Sequence, residues 1–142
     1  MTDTTRDAVA EQIRRAEGFR PMPYLDTAGV WTIGYGRAIG RVGISRAEAD
    51  VLLQNDLAHC LQALTACDWW RDLDDVRQGA ILELCFQLGY LGLIRFKRMI
   101  AALRRHDCET AANELLDSKY AIADAPGRAQ RLARVLRTGR TR

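Results

Sequence analysis

This sequence contains no apolar run approaching the roughly 20 residues that a membrane span requires, and its opening MTDTTRDAVAEQ has neither the basic stretch nor the apolar core of an export signal. The four cysteines, Cys60, Cys67, Cys85 and Cys108, include no C-x-x-C pair, and two of them fall inside apolar helical patterns. They read as buried free thiols rather than disulfides, as in a chain that folds in a reducing cytoplasm. The two histidines, His59 and His106, lie in charged helical surroundings with no ligand spacing around them, so neither a metal site nor a cofactor is expected. Proline occurs three times, and each reads as a boundary. Pro21 and Pro23 forbid the extension of a helix, whereas Pro126 suits the first turn of one. There is no internal repeat and no low-complexity segment.

What remains is an ordinary globular composition, 48% hydrophobic and 27% charged over 142 residues, which suits one domain with a substantial core. The net charge of +3 conceals an asymmetry. Residues 126–142 hold six arginines and no acid, leaving 15 basic against 18 acidic residues elsewhere. A basic end attracts polyanions such as nucleic acid, anionic lipid or acidic cell wall; it is equally the pattern of a solvated helix face with a frayed tail.

Periodicity places most of the chain in helices. Val9, Ile13 and Ala16 share one face of a first helix over 5–17. Ser45-Arg46-Ala47-Glu48 has the form of a capping box opening a helix over about 45–65, with Leu53, Leu57, Cys60, Leu61 and Leu64 on one face. Trp69 and Trp70 follow in a connector, where they could stack on a sugar or pack at a junction between lobes. A helix from Asp74 carries AILELCFQL (80–88), apolar on nearly every side and so expected to be buried all round, with Gly89 and Gly92 at its end. Shorter helices are expected at 93–105 and, capped by Asp107, at 108–117, with a last one at 126–137. In that last helix Leu132, Val135 and Leu136 form a stripe that should dock, leaving most arginines in solvent.

The stretch from Glu17 to Gly36, EGFRPMPYLDTAGVWTIGYG, carries the chemistry. Glu17 stands at a helix end and Asp26 at the start of a turn, Thr27-Ala28-Gly29. Val30–Gly36 then alternates in size, with Trp31, Ile33 and Tyr35 on one strand face and Thr32, Gly34 and Gly36 on the other, a face small enough to lie under a bulky substrate. A paired acid and carboxylate across a cleft is what cleavage of a glycosidic bond needs. Each residue also has a plainer reading. Glu17 could be a surface glutamate, Asp26 could bond its own turn, and Thr32 could be a strand former.

The order Glu17, Asp26, Thr32 with TIGYG around the threonine resembles the catalytic signature of glycoside hydrolase family 24, the phage lysozymes of the T4 class. DDVRQGAILELCFQLG (74–89) and PGRAQRLARVLRTG (126–139) resemble that family's central and C-terminal helices. The resemblance implies an α+β, mostly helical fold in one catalytic domain over 1–142. Its small hairpin lobe is expected at about 18–65 and its all-helical lobe at about 1–17 and 66–142, with the active site between them. It implies hydrolysis of the β-1,4 bond between N-acetylmuramic acid and N-acetylglucosamine, generally with inversion. Glu17 is then the acid, Asp26 the base and Thr32 the residue that positions water, while Arg128 approaches and holds Glu17. Phe86 matches an aromatic at the cleft floor, with core packing as its other reading. Gly34 and Ala38 are further candidates for substrate contact. Ala38, Met99 and Glu114 fall on family sugar-contact positions without keeping the family residues. Arg37 stands where the family usually has a histidine, ahead of a shortened link to the next helix. The implied partner is the peptidoglycan glycan strand, met by a monomer, with the C-terminal arginines near an anionic outer membrane and no nucleic acid. An enzyme of this kind is made in the bacterial cytoplasm and acts in the periplasm once the inner membrane is breached, lysing the host. Two other classes remain open: a catalytically weak wall-binding protein, and a membrane-active protein working through its basic C-terminal helix.

Overall fold

The Thr2 hydroxyl accepts from the Thr5 N–H at 3.3 Å and opens α1 (Asp3–Glu17). Gly18 closes that helix at φ +68°, donating its N–H to the Arg14 carbonyl at 3.0 Å. With Pro21 and Pro23 just beyond, the helix cannot continue, so Glu17 is its last residue. The structure, a computed structural model, describes residues 2–141.

β1 (Arg20–Leu25) and β2 (Trp31–Gly34) pair antiparallel, with Arg20 opposite Gly34, Tyr24 opposite Thr32 and Leu25 opposite Trp31. The ladder is irregular between Arg20 and Tyr24. Pro21 and Pro23 bring no N–H to it, so β1 bulges past its partner there. The expected alternation through Gly36 ends early. Ile33 and Arg37 exchange backbone hydrogen bonds of 2.9 and 3.0 Å, folding Gly34-Tyr35-Gly36 into a tight reverse turn. Gly34 at φ +67° and Gly36 at φ +79° supply left-handed backbone at no steric cost, which is why small residues that suit one strand face suit the turn better. The short link after Arg37 contains one helical turn, α2 (Ile39–Val42).

At α3 (Arg46–Thr65) the capping box forms in full: the Glu48 N–H donates to Ser45 Oγ at 3.2 Å and the Ser45 N–H to Glu48 Oε2 at 2.7 Å. The chain divides into two compact units between Val51 and Leu52, inside α3. α1 and the hairpin thus share one unit.

The second unit is helical. Trp69 and Trp70 sit in a short 3-10 turn (Asp68–Trp70), both buried in its core with Leu64 and Leu73, so neither offers a free face for a sugar. α4 (Asp75–Leu93) is capped by Asp74 and broken at Gly89, where φ is +67°. Ala80, Ile81, Leu84 and Cys85 are buried, but Phe86 is 41% exposed. The helix is therefore not buried all round, as its composition suggested. α5 (Lys97–Arg104), α6 (Cys108–Leu116), a π-helical turn (Tyr120–Asp124) and α7 (Pro126–Thr138) complete the unit. Asp107 caps α6 through the Thr110 N–H at 3.0 Å, and Pro126 stands in the first turn of α7, both as expected. Leu132 and Leu136 of α7 are fully buried, each contributing about 1.5–3 kcal/mol relative to exposure.

A single arginine fastens the end of α7. Arg77 Nε donates to the Leu136 carbonyl at 2.7 Å and Nη2 to the Arg137 carbonyl at 3.3 Å, while Nη1 pairs with Asp74. These are carbonyls that a helix leaves without intrahelical partners, and a cation suits that end of the dipole. Gly139, left-handed at φ +64°, leaves the room: a Cβ there would lie 2.7 Å from Arg77 Nη1.

Among the described residues the sheet is confined to the hairpin and the rest is helix and turn, the α+β, mostly helical architecture expected. No single helix there is long and apolar enough to cross a membrane. All four cysteines are free, and the Cys85 thiol is pushed up to about 12 by burial first and then by the neighbouring Cys60 and Cys67.

Candidate active site

The three candidate catalytic residues all lie in the hairpin unit. Glu17 is delivered by the end of α1 to the reverse turn after β2, where its carboxyl rests against the bare Cα of Gly36. A Cβ at that position would stand 3.0 Å from Glu17 Oε2 and 3.2 Å from its Cδ. Asp26 turns back on its own loop. Its Oδ1 accepts from the Ala28 and Val30 N–H groups, both at 2.8 Å, and its backbone N–H donates to the Val30 carbonyl at 3.0 Å. The turn reading of Asp26 is thus observed, and it leaves Oδ2 without a hydrogen-bond partner among the described residues of the unit. Thr32, opposite Tyr24 in the ladder, is the one buried polar residue among those described, 3% exposed. Its hydroxyl donates to the Val30 carbonyl at 3.0 Å. With its proton committed there, Oγ1 keeps lone pairs to accept from a third party. One loop residue, Val30, therefore orients both side chains, offering an N–H to Asp26 and a carbonyl to Thr32.

Gly34 and Ala38 flank this region without side-chain hydrogen bonds of their own; Gly34 starts the reverse turn and Ala38 caps α2. Around them stand residues that the sequence reading did not single out. Phe19 and Tyr35 bring their rings to 5.4 Å at a 45° tilt, tying the residue after α1's cap to the tip of the turn. Arg20 lies over the Tyr24 ring at 4.2 Å. Arg37, noted only as a departure, is fully engaged: Nε and Nη2 donate to the Gly43 carbonyl at 3.1 and 2.9 Å, and Nη1 pairs with Glu48 Oε1 at 2.9 Å. The Glu48 carboxyl is held below its ordinary range by the Ser45 N–H first, then the Ser45 hydroxyl, with Arg37 adding to them. An arginine followed at an eleven-residue distance by a capping-box glutamate was the signal available for this contact.

The remaining candidates belong to the helical unit. Arg128, at the start of α7, pairs with Glu83 of α4 at 3.8 Å, and Arg131 pairs with the same carboxylate at 2.5 Å. Tyr120 donates to Gln87 at 2.6 Å, its hydroxyl pushed up by burial. Phe86 is half-exposed on α4. Met99 is fully buried, so it cannot touch a saccharide directly, and Glu114, 15% exposed, is held by Arg98 at 2.6 Å. Both line a cavity of about 700 Å³ with Phe96, Tyr120 and Lys119. The basic end is less free than its composition suggested. Arg137 bonds Glu109 at 2.8 Å and Asn113 at 2.7 Å, and Arg131 is taken by Glu83, because α7 packs with its arginines reaching acids on α4 and α6. Arg134 and Arg140 have no ion pair among the described residues, and Arg142 lies outside them. No cluster of metal-ligating side chains occurs among the described residues.

The chain is 29% identical to the pre-baseplate central spike protein of Enterobacteria phage T4, over 96% of this chain and 29% of that protein. It is 24% identical to a probable T4-type lysozyme of Dictyostelium discoideum, over 93% of this chain and 95% of that one. It is also 27% identical to the SAR-endolysin of Enterobacteria phage P21, over 74% of this chain and 65% of that protein. The chain thus spans less than a third of the spike protein's length but nearly all of the Dictyostelium lysozyme's. A sequence profile described as phage lysozyme matches residues 14–136, a span that takes in Glu17, Asp26, Thr32 and the helices through α7, and the chain belongs to the phage lysozyme family.

Proposed function

We propose that this protein is an endolysin that hydrolyses the β-1,4 bond between N-acetylmuramic acid and N-acetylglucosamine in peptidoglycan. The observation that carries the reading is the division of hydrogen bonds around Val30. Asp26 is fixed through Oδ1 and keeps Oδ2, while Thr32 has given its proton to Val30 and keeps acceptor lone pairs. A water with one hydrogen on Asp26 Oδ2 and the other on Thr32 Oγ1 would have its lone pair directed away from both, toward an anomeric carbon. As that carbon–oxygen bond breaks, Glu17 gives its proton to the leaving oxygen, Asp26 takes one from the attacking water, and the sugar's configuration inverts. Inversion needs the two carboxyls about 6.5–9.5 Å apart, room for one water. Gly34 and Ala38, in the same unit as the three catalytic residues, border the saccharide in this reading. The enzyme works as a monomer on glycan strands in the periplasm, reached from the host cytoplasm after the inner membrane is breached.

The test is turnover of purified peptidoglycan, read as new reducing ends. Glu17→Gln keeps its fold by circular dichroism and loses at least about 100-fold in rate, because an amide cannot donate the acid's proton. Product anomers followed by NMR from the first minutes should show inversion. A Glu17→Gln enzyme within a few-fold of wild type overturns the assignment. Wild-type protein that binds the wall without releasing reducing ends favours the wall-binding class instead.

A further inference from the structure

We infer that Arg37 is a positioning residue for Glu17: its guanidinium, clamped between the Gly43 carbonyl and the Glu48 carboxylate, holds the turn on which the acid's carboxyl rests. This inference rests on the reading of Glu17 as the general acid. Glu17 is the last residue of a helix that buries none of its side chains, and among the described residues of its own unit its carboxyl makes no hydrogen bond or ion pair. Its defined neighbour there is Gly36, which it approaches so closely that a Cβ would stand 3.0 Å from Oε2 and 3.5 Å from Cγ. The position of the acid therefore follows the position of the Gly34-Tyr35-Gly36 turn.

That turn has two fastenings. Its backbone is closed by the reciprocal Ile33 and Arg37 hydrogen bonds, so Arg37 is the residue on which the chain leaves it. The Arg37 side chain then ties this exit to two further points. Nε and Nη2 hold the Gly43 carbonyl at the end of α2, at 3.1 and 2.9 Å. Nη1 and Nη2 hold the two oxygens of Glu48, at 2.9 and 3.1 Å. Glu48 is itself anchored, accepting the Ser45 N–H at 2.7 Å in the first turn of α3, where a carboxylate suits the helix dipole. The path from a helix start through Glu48, Arg37 and Gly36 to Glu17 is continuous contact within one unit. A guanidinium suits the task because its planar fork engages a carboxylate with two donors while a third serves a carbonyl; an ammonium is a single point charge. Both partners are close to half exposed, so the pair adds little to global stability, and its removal should leave the fold standing.

The experiment is steady-state kinetics on soluble peptidoglycan fragments, with thermal unfolding as the measure of fold. Arg37→Ala should lower kcat about 10- to 100-fold, the cost of a misplaced catalytic group. KM should stay within about twofold, since substrate binding is untouched. Millimolar guanidinium should restore part of the kcat of Arg37→Ala and none of that of Glu17→Gln. Arg37→Lys should fall between the two, and Glu48→Gln, which keeps the Ser45 contact but loses the charge, should lose less than Arg37→Ala. If Arg37→Ala keeps wild-type kcat while Glu17→Gln is inactive, the positioning role is wrong and the acid assignment stands. If Glu17→Gln keeps its rate, the acid reading falls and this inference with it. A loss in Arg37→Ala that appears equally in KM, or that guanidinium does not relieve, also overturns it. Should Arg37→Ala fail to fold, a wild-type kcat in both Arg37→Lys and Glu48→Gln does the same.

Discussion

Replacing Gly36 by alanine separates two effects that usually arrive together. The backbone there has φ +79°, and a Cβ in the left-handed region costs roughly 1–2 kcal/mol. A backbone strain at least as large, about 1–3 kcal/mol, is imposed by Gly89→Ala, where φ +67° and ψ 160° form an essentially glycine-only conformation and a Cβ would meet nothing within 4 Å. For a chain of this length these costs correspond to a fall in Tm of roughly 3–8 °C for Gly36→Ala and roughly 3–12 °C for Gly89→Ala. Gly36→Ala does something further. Its Cβ, 3.0 Å from Glu17 Oε2 and 3.2 Å from Cδ, is inside ordinary contact distance, so the carboxyl must retreat by a few tenths of an ångström. A misplacement of 1 Å can cost about 100-fold in rate. A third to a half of that displacement gives roughly 5- to 10-fold, or about 1–1.4 kcal/mol of barrier. Reducing-end release from peptidoglycan measured well below both Tm values should therefore show Gly36→Ala several-fold slower than Gly89→Ala, although Gly89→Ala is no more stable. Equal rates for the two variants would refute the claim that the turn seats the acid.

Gly139→Ala should cost about 1–3 kcal/mol by denaturant unfolding, from left-handed strain and from pushing Arg77 off the Leu136 and Arg137 carbonyls; a Gly139→Ala, Arg77→Ala double variant no worse than the worse single one would show that they share one interaction. The Asp74 carboxyl is held below its ordinary value by the Arg77 N–H first, with the Arg77 guanidinium adding to it. A depressed folded value means stability that is present above the unfolded pKa near 4 and lost as pH falls through the lower folded value, so Asp74→Asn should flatten the acid limb of the pH–stability curve. Neutralising Arg134 and Arg140 together should weaken adsorption to anionic envelopes at low salt and matter little above roughly 0.15 M, where screening acts within about 8 Å. The rate on soluble fragments should be unaffected; a loss there would place these arginines in the catalytic site instead.

Local chemistry was the legible part of this sequence. Pro21 and Pro23 stop α1, Ser45 and Glu48 box α3, Asp107 caps α6 and Pro126 opens α7, each decided by neighbours within four residues. Composition misled where one property served two structures. Gly34 and Gly36 fit a strand's small face but were spent on a turn, and the apolar run of α4 concealed an exposed Phe86. Pairings set by tertiary packing could not be read from spacing at all. Arg131 meets Glu83 across 48 positions and Arg137 meets Glu109 across 28, which removed two arginines from the solvated set that helical periodicity suggested. In the site, the type and order of Glu17, Asp26 and Thr32 stood out from the sequence. The partners that orient them, Val30 and Gly36, did not, since one acts through its backbone and the other by having no side chain.

Arg77 and the two carbonyls it grips are separated by 59 and 60 positions, which sets a clock on the newborn chain. On a ribosome adding about 5–20 residues per second, roughly 3–12 s pass between the appearance of the guanidinium and that of its acceptors. Throughout that interval the faces of α4 and α6 that α7 will cover remain open to chaperones, to proteases and to other nascent copies. The residues of the hairpin unit, by contrast, are all synthesised by Val51. A stop codon a few residues before Gly139 would thus spare every candidate catalytic side chain and still leave the helical unit without its last seal.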